Sequence, residues 1–260
     1  MPFECIFCGS TKQPSREHVV STDTRKAFNF SGPVSTFLGD DDDPIRVEEH
    51  LAVVLARMIC EPCNNGWLNQ LEEKVRPFFH LMLLNAGAVQ LDATMQRDFA
   101  RWATIKAMLI ERSFRQRAPG ARSTEGYGGS PVELAWLANN DEPLPRSRVW
   151  LGAFDAERNI ALSHICALSE AQKSGTPAHV TTATWGYTVF QVFSTNFVAA
   201  QSSDDGGFSL KPPLPYSIAM QRVWPYEKPI VGWPGKAFIS SSDLDGLGFW
   251  GGILSPIGTR

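Results

Sequence analysis

The spacing of apolar positions divides the chain into a helical first half and a β-rich second half. Trp67, Leu68, Leu71 and Val75 recur at helical spacing, with acids early and bases late, and predict a helix with Asn64 or Asn65 as its N-cap. Pro77 is expected to end or kink that helix near Arg76, because proline removes a backbone donor and crowds the preceding turn. A second helical piece is expected over about 78–87. A third, over about 93–115, places Phe99, Trp102, Leu109 and Ile110 near one stripe. Residues 47–59 (VEEHLAVVLARMI) suit either a strand or a short helix, and periodicity does not arbitrate. From about Arg146 the runs VWLGAF, ALSHICAL, HVTTATWGYTVFQVFST and YSIAMQRVW are β-branched and aromatic, separated by Gly, Pro and Asp clusters, and predict strands. Residues 31–46, with Gly32-Pro33, Gly39 and the run Asp40–Asp43, read as a solvated loop, and 119–129 as a Gly/Ser-rich linker. At the N-terminus a turn-rich piece around Gly9-Ser10-Thr11 leads into Glu17-His18-Val19-Val20, which reads as a knuckle followed by a strand, or as two short strands.

These elements predict an α+β protein in three parts: an N-terminal domain over 1–90, a basic helical segment and linker over 91–145, and a β-rich domain over 146–260. At 260 residues the chain can bury one generous core or two smaller ones. Hydrophobic residues at 43% and charged residues at 20% describe an ordinary globular composition, and no apolar run reaches the length of a membrane span. The opening MPFECIFCGS lacks the basic-then-apolar pattern of a secretory signal. The expected setting is a reducing cytoplasm, where cysteines more often bind metal than pair as disulfides.

A net charge of −3 argues mildly against nucleic acid as partner, but its distribution matters more than its sum. Residues 97–122 hold Arg97, Arg101, Lys106, Arg112, Arg115, Arg117 and Arg122 against only Asp98 and Glu111, an excess of about five positive charges. The first five are candidates for tracking a nucleic-acid backbone; exposed arginines on any amphipathic helix are the bland alternative.

Four of the five cysteines form matched pairs, Cys5-x-x-Cys8 and Cys60-x-x-Cys63. Two intervening residues let both sulfurs of a pair face one cation, and two such knuckles make a tetrahedral structural zinc site with no open position for water. Glu17-His18 begins nine residues after Cys8, and Asn64 directly follows Cys63. A clamp joining the knuckles would bring these residues into one neighbourhood. A carboxylate and an amide oxygen suit Mg²⁺ or Mn²⁺, and an imidazole can deprotonate water beside a phosphodiester.

Cys-x-x-Cys, an acidic residue plus His, then Cys-x-x-Cys-Asn resembles the HNH (ββα-metal, His-Me finger) endonucleases, in particular the four-cysteine branch similar to endonuclease VII. The resemblance covers about residues 3–75, and CNNGWLNQLE looks like the helix start of many bacterial HNH proteins. It implies a zinc-stabilised ββα-metal finger in the first domain. Cys5, Cys8, Cys60 and Cys63 would hold zinc, Glu17 and Asn64 a catalytic Mg²⁺ or Mn²⁺, and His18 would be the general base in hydrolysis of DNA. The chain departs from the pattern in three ways. The stretch from His18 to Cys60 is longer than in compact members, Asn64 stands where the name has its last histidine, and adjacent strand residues share a site only where a strand is bulged or ending.

The competing function is a non-catalytic zinc module that binds nucleic acid or protein. RNA is the alternative substrate to DNA, no membrane partner is expected, and a homodimer would supply the second site that a double-strand cut needs. Asn65 is a backup for Asn64, and His50 after Glu48-Glu49 an alternative ligand or base. His80, His164 and His179 read as structural and Cys166 as a buried free thiol. Trp185, Trp224 and Trp233 read as packing residues of the β region before base-stacking platforms.

Overall fold

A computed structural model describes residues 3–15, 17–18, 24, 26, 33–38, 45–50, 55–56, 58–117, 129–155, 161–167, 178–195, 208–209, 216–240 and 255–256. The short strand β1 (Glu17–His18) is followed by β2 (Pro33–Leu38), β3 (Ile45–His50) and β4 (Leu55–Ala56). Then come α1 (Glu61–Cys63), a π-helical turn (Asn64–Leu68) and α2 (Asn69–Leu83). After β5 (Val89–Leu91) lie the long helix α3 (Ala93–Arg117) and α4 (Pro131–Asn139). The second half adds β6 (Arg148–Phe154), β7 (Ala161–Ala167), β8 (Ala178–Trp185), β9 (Thr188–Thr195) and β10 (Phe208–Ser209). It closes with α5 (Tyr216–Ala219), β11 (Gln221–Trp224), β12 (Val231–Trp233), β13 (Phe238–Ile239) and β14 (Ser255–Pro256). The α+β class follows directly.

A mixed sheet organises the chain, in the order β11-β6-β9-β8-β7-β2-β3, with β13 parallel to β6. Its centre is an antiparallel meander in which β8 and β9 are joined by a two-residue turn. Gly186 takes φ 56° at the first central position of that turn, as a type II′ hairpin requires. Most of the runs read as strands form strands, but the first half of YSIAMQRVW, Tyr216–Ala219, is the short helix α5 and only Gln221–Trp224 is strand. Helix α3 packs against β8, β9, β6 and β11.

Between α2, α3 and the sheet lies an aromatic core. Phe79 and Trp102 stand 4.7 Å apart, Trp102 and Trp185 5.3 Å, and Trp185 and Phe190 5.3 Å, the last two pairs edge to face. Trp185 is thus a core residue and is not available as a base-stacking platform. Trp233 is buried as well and donates its indole N–H to the Gly152 carbonyl at 3.2 Å. Trp224 is partly buried and donates to the Leu144 carbonyl at 3.4 Å.

Several expectations are corrected here. Residues 33–38, read as part of a solvated loop, form β2, which pairs in parallel with β7 and antiparallel with β3. The ambiguous stretch 47–59 resolves partly into strand, at β3 and β4. Helix α2 runs through Pro77 to Leu83, because Val75, Phe78, Phe79, Met82 and Leu83 are all buried along it. Burying those side chains at about 1.5–3 kcal/mol each outweighs a proline penalty of about 3 kcal/mol. The helical path opens at Glu61 with Cys60 as N-cap and Pro62 in the first turn. Asn64 itself has helical angles, φ −67° and ψ −51°, so neither it nor Asn65 is the cap.

Contacts also cross the boundaries suggested at 90 and 146. Strand β2 joins the C-terminal sheet, and β5 pairs with β12 through Val89↔Trp233 and Leu91↔Val231. The acidic run 40–43 and most of the linker 119–129 lie outside the described residues. Among the described residues no helix is long and apolar enough to cross a membrane.

Candidate metal centre

The first knuckle is a tight turn. Gly9 donates its N–H to the Cys5 carbonyl at 2.8 Å, Cys5 donates to the Ser10 carbonyl at 2.8 Å, and Gly9 takes the left-handed φ of 70° that glycine tolerates. The second knuckle is the start of a helix. Cys60 is the N-cap, Cys63 sits in the first turn, and the Asn64 N–H reaches the Cys60 carbonyl at 3.0 Å.

Backbone bonds hold the knuckles together. Ile6 N–H donates to Met58 at 2.9 Å, Ser15 N–H and its hydroxyl both donate to Ile59 at 2.8 Å, and Glu61 N–H donates to Gln13 at 2.7 Å. Pro14 forms a bridge with Cys60.

This arrangement gathers the four thiols so that all sulfurs lie within 4.8 Å of one another, with Cys8 Sγ 3.5 Å from Cys60 Sγ. Cys5, Cys60 and Cys63 are buried, Cys8 is exposed, and all four are free thiols. Tetrahedral zinc at about 2.3 Å from each sulfur would place the sulfurs about 3.8 Å apart, so the donor set and its dimensions fit such an ion. The cluster could hold a metal ion such as zinc.

Backbone N–H groups aim at the sulfurs and shape their acidity. Burial works to raise the Cys5 pKa, but N–H groups of Cys60, Cys8 and Phe7 and the Cys8 thiol outweigh it and bring Cys5 down to about 7. Burial pushes Cys60 and Cys63 up, and for Cys63 the neighbouring thiols Cys8 and Cys60 add to the rise.

The remaining site residues divide into those placed beside this cluster and those that are not. Glu17 and His18 lie on β1, opposite Ala56 and Leu55 on β4. Three steps from Pro14 to Glu17 therefore face four from Cys60 to Ala56, so the pairing register shifts by one just before the Glu-His pair. Their side chains lie outside the described residues. Asn64 is partly buried and Asn65 exposed, both in the π-helical turn directly after Cys63, where the path kinks at Gly66. The cysteine cluster thus anchors the segment leading to Glu17-His18 and the turn carrying Asn64 to one scaffold.

The basic helix is corrected in part. Arg101 is buried, donating to Asp141 Oδ1 at 2.7 Å and to the Leu137 carbonyl at 2.7 Å. Lys106 is fully buried, 2.6 Å from Glu72 Oε1. Neither presents its charge to a nucleic-acid backbone, because α3 is covered on all sides from Asp98 to Glu111. Arg97 is half-buried beside Asp98 at 3.3 Å, and Arg112 donates to the Gly129 carbonyl at 2.7 Å. Arg115 lies on α3 with its side chain outside the described residues, as do the side chains of His50 on β3, of His164 and Cys166 on β7 and of His179 on β8. His80 lines a small cleft with Thr24, Glu72, Arg76 and Trp102.

Sequence reasoning missed the brace behind the first knuckle. The ring of Phe7, between the first two cysteines, meets Trp67 edge to face at 5.0 Å, and the Arg101 guanidinium lies 5.1 Å from the centre of the Trp67 ring. The only sequence signal for it is an aromatic residue inside a knuckle that would otherwise tolerate polar ones. Comparison with protein-family models, curated proteins and solved structures gives no match to this chain.

Proposed function

We propose that the chain is a metal-dependent endonuclease of the HNH type, with zinc on the four thiols as a structural clamp. The observation that carries the reading is the cysteine cluster itself. It fastens the segment entering β1, with Glu17 and His18, to the helical turn that carries Asn64. In this reading Cys5, Cys8, Cys60 and Cys63 hold zinc and leave no coordination position for water, so that site holds the fold and does no hydrolysis.

Glu17 and Asn64 would hold Mg²⁺ or Mn²⁺, which when bound supplies positive charge to the scissile phosphate and the leaving oxygen. His18 would take the proton from the attacking water, and the register shift before Glu17 is the kind of irregularity that lets neighbouring strand residues serve one site. With Arg101 and Lys106 committed to the interior, exposed lysines such as Lys12, Lys26 and Lys74, among the described residues, would be the kind of cation offered to a DNA backbone. A homodimer would bring two such sites to a duplex.

The test is incubation of the full chain with supercoiled plasmid DNA and Mg²⁺ or Mn²⁺, with a parallel RNA substrate. Nicking by the wild type that His18→Ala abolishes, with zinc content and DNA affinity retained, supports the reading. DNA binding with no nicking by the wild type in either metal would overturn it in favour of a non-catalytic zinc module.

A further inference from the structure

The thiols of the cluster differ in access. Cys8 is the exposed one, while Cys5, Cys60 and Cys63 are buried. The Cys8 sulfur is in contact not with its own knuckle alone but with the opposite one, 3.5 Å from Cys60 Sγ across 52 residues of sequence. A reagent arriving from solvent therefore meets Cys8 first, and a thiol from the other knuckle is already in place behind it. A disulfide needs about 2.05 Å between sulfurs, so the pair must close by about 1.5 Å.

We propose that Cys8 is a thiol–disulfide modification site. In the metal-free protein a small disulfide such as oxidised glutathione would install a Cys8–Cys60 bond there, and a bound metal would prevent it. In the first step the Cys8 thiolate attacks one glutathione sulfur; the glutathione S–S bond breaks, a Cys8–glutathione mixed disulfide forms, and one glutathione leaves. In the second, Cys60 gives up its proton and attacks the Cys8 sulfur; that mixed disulfide breaks, the Cys8–Cys60 bond forms, and the second glutathione leaves carrying the proton. The two cysteines lose two electrons, the glutathione disulfide gains them, and the two thiol protons end on the two glutathiones. The bond consumes two of the four metal ligands, so metal and disulfide exclude one another. The choice of sulfurs rests on access and distance; the protection by metal rests on the reading of the cluster as a metal site.

The experiment treats the full-length chain, reduced and metal-free in one arm and zinc-loaded in the other, with oxidised glutathione. Linked peptides are mapped by mass spectrometry, with fold monitored by circular dichroism. The expected result is a Cys8–Cys60 linkage in the metal-free arm, forming at least about tenfold more slowly with zinc bound. Cys60→Ser is expected to stop at the mixed disulfide on Cys8; if that variant does not fold, the wild-type map decides alone. Any other linkage, Cys8–Cys63, Cys5–Cys8 and Cys60–Cys63 among them, or unchanged thiols in the metal-free arm, would overturn the proposal. A Cys8–Cys60 bond forming equally fast with and without zinc would overturn the metal's guarding role while leaving the choice of sulfurs standing.

Discussion

The ammonium of Lys106 lies 2.6 Å from a carboxylate oxygen of Glu72, and the lysine side chain has no exposed surface while the glutamate keeps 16%. This pair joins α3 to α2, the helix that continues from the second cysteine knuckle.

Truncating one partner of a buried pair leaves the other charge uncompensated, which typically costs about 3–5 kcal/mol. Lys106→Ala is expected to fall in that range, and Lys106→Met with Glu72→Gln to recover much of it. Chemical denaturation with an unchanged slope checks this. If Lys106 instead contacted nucleic acid, Lys106→Ala would leave stability near wild type and flatten the salt dependence of DNA binding.

Arg101 makes a similar case with a different partner balance. Its guanidinium reaches the Leu137 carbonyl and Asp141, but the Asp141 side chain is 79% exposed, so solvent screens that ion pair. Burial lowers the Arg101 pKa, and Asp141 opposes the fall. Arg101→Lys loses the forked geometry and is expected to destabilise by about 1–3 kcal/mol, whereas Asp141→Asn should cost under about 1 kcal/mol. Equal losses for the two variants would show that the ion pair, and not the buried carbonyl contact, carries the arginine.

The Arg101 guanidinium over the Trp67 ring, and the edge-to-face contact of Trp67 with Phe7, link the core to the first knuckle. A double-mutant cycle of Arg101→Met and Trp67→Leu is expected to give a coupling of about 0.5–1 kcal/mol. Trp67→Leu should also weaken zinc retention against a chelator, because Phe7 loses the ring it packs on. Additive effects would reduce the Arg101–Trp67 contact to a coincidence of packing.

The cysteine pairs and the strands after Arg146 were legible because each rests on local information: spacing for the thiols, and β-branched runs for β6 to β9. The capping box of α4 is an equally local signal: Ser130 accepts from the Glu133 N–H, and Glu133 accepts from the Ser130 N–H at 2.6 Å. What the chain alone could not tell was burial decided by distant partners. Seven basic residues on 97–122 look like a charged surface until the sheet and α2 cover α3 and turn Arg101 and Lys106 inward. Likewise the strand PVSTFL at 33–38 lies among loop formers and becomes a strand by pairing with β7, more than a hundred residues away. Pro77 obeyed packing over its own preference for the same reason.

Metal binding should be coupled to proton release in a way the thiol environments dictate. A thiol must be deprotonated to bind, so any ligand still protonated at the working pH delivers its proton on binding. Cys60 and Cys63 are raised above the ordinary thiol range and remain protonated at neutral pH, while Cys5, brought down to about 7, is half ionised there. Between pH 7 and 8, Cys60 and Cys63 are therefore expected to release about one proton each per zinc, and Cys5 a fraction that shrinks as the pH rises. The sign follows: apparent zinc affinity increases with pH, and the slope flattens slightly above pH 7 as Cys5 stops contributing. Titration calorimetry in buffers of different ionisation enthalpy counts these protons. An affinity independent of pH over this window would mean that the thiols are not the ligands.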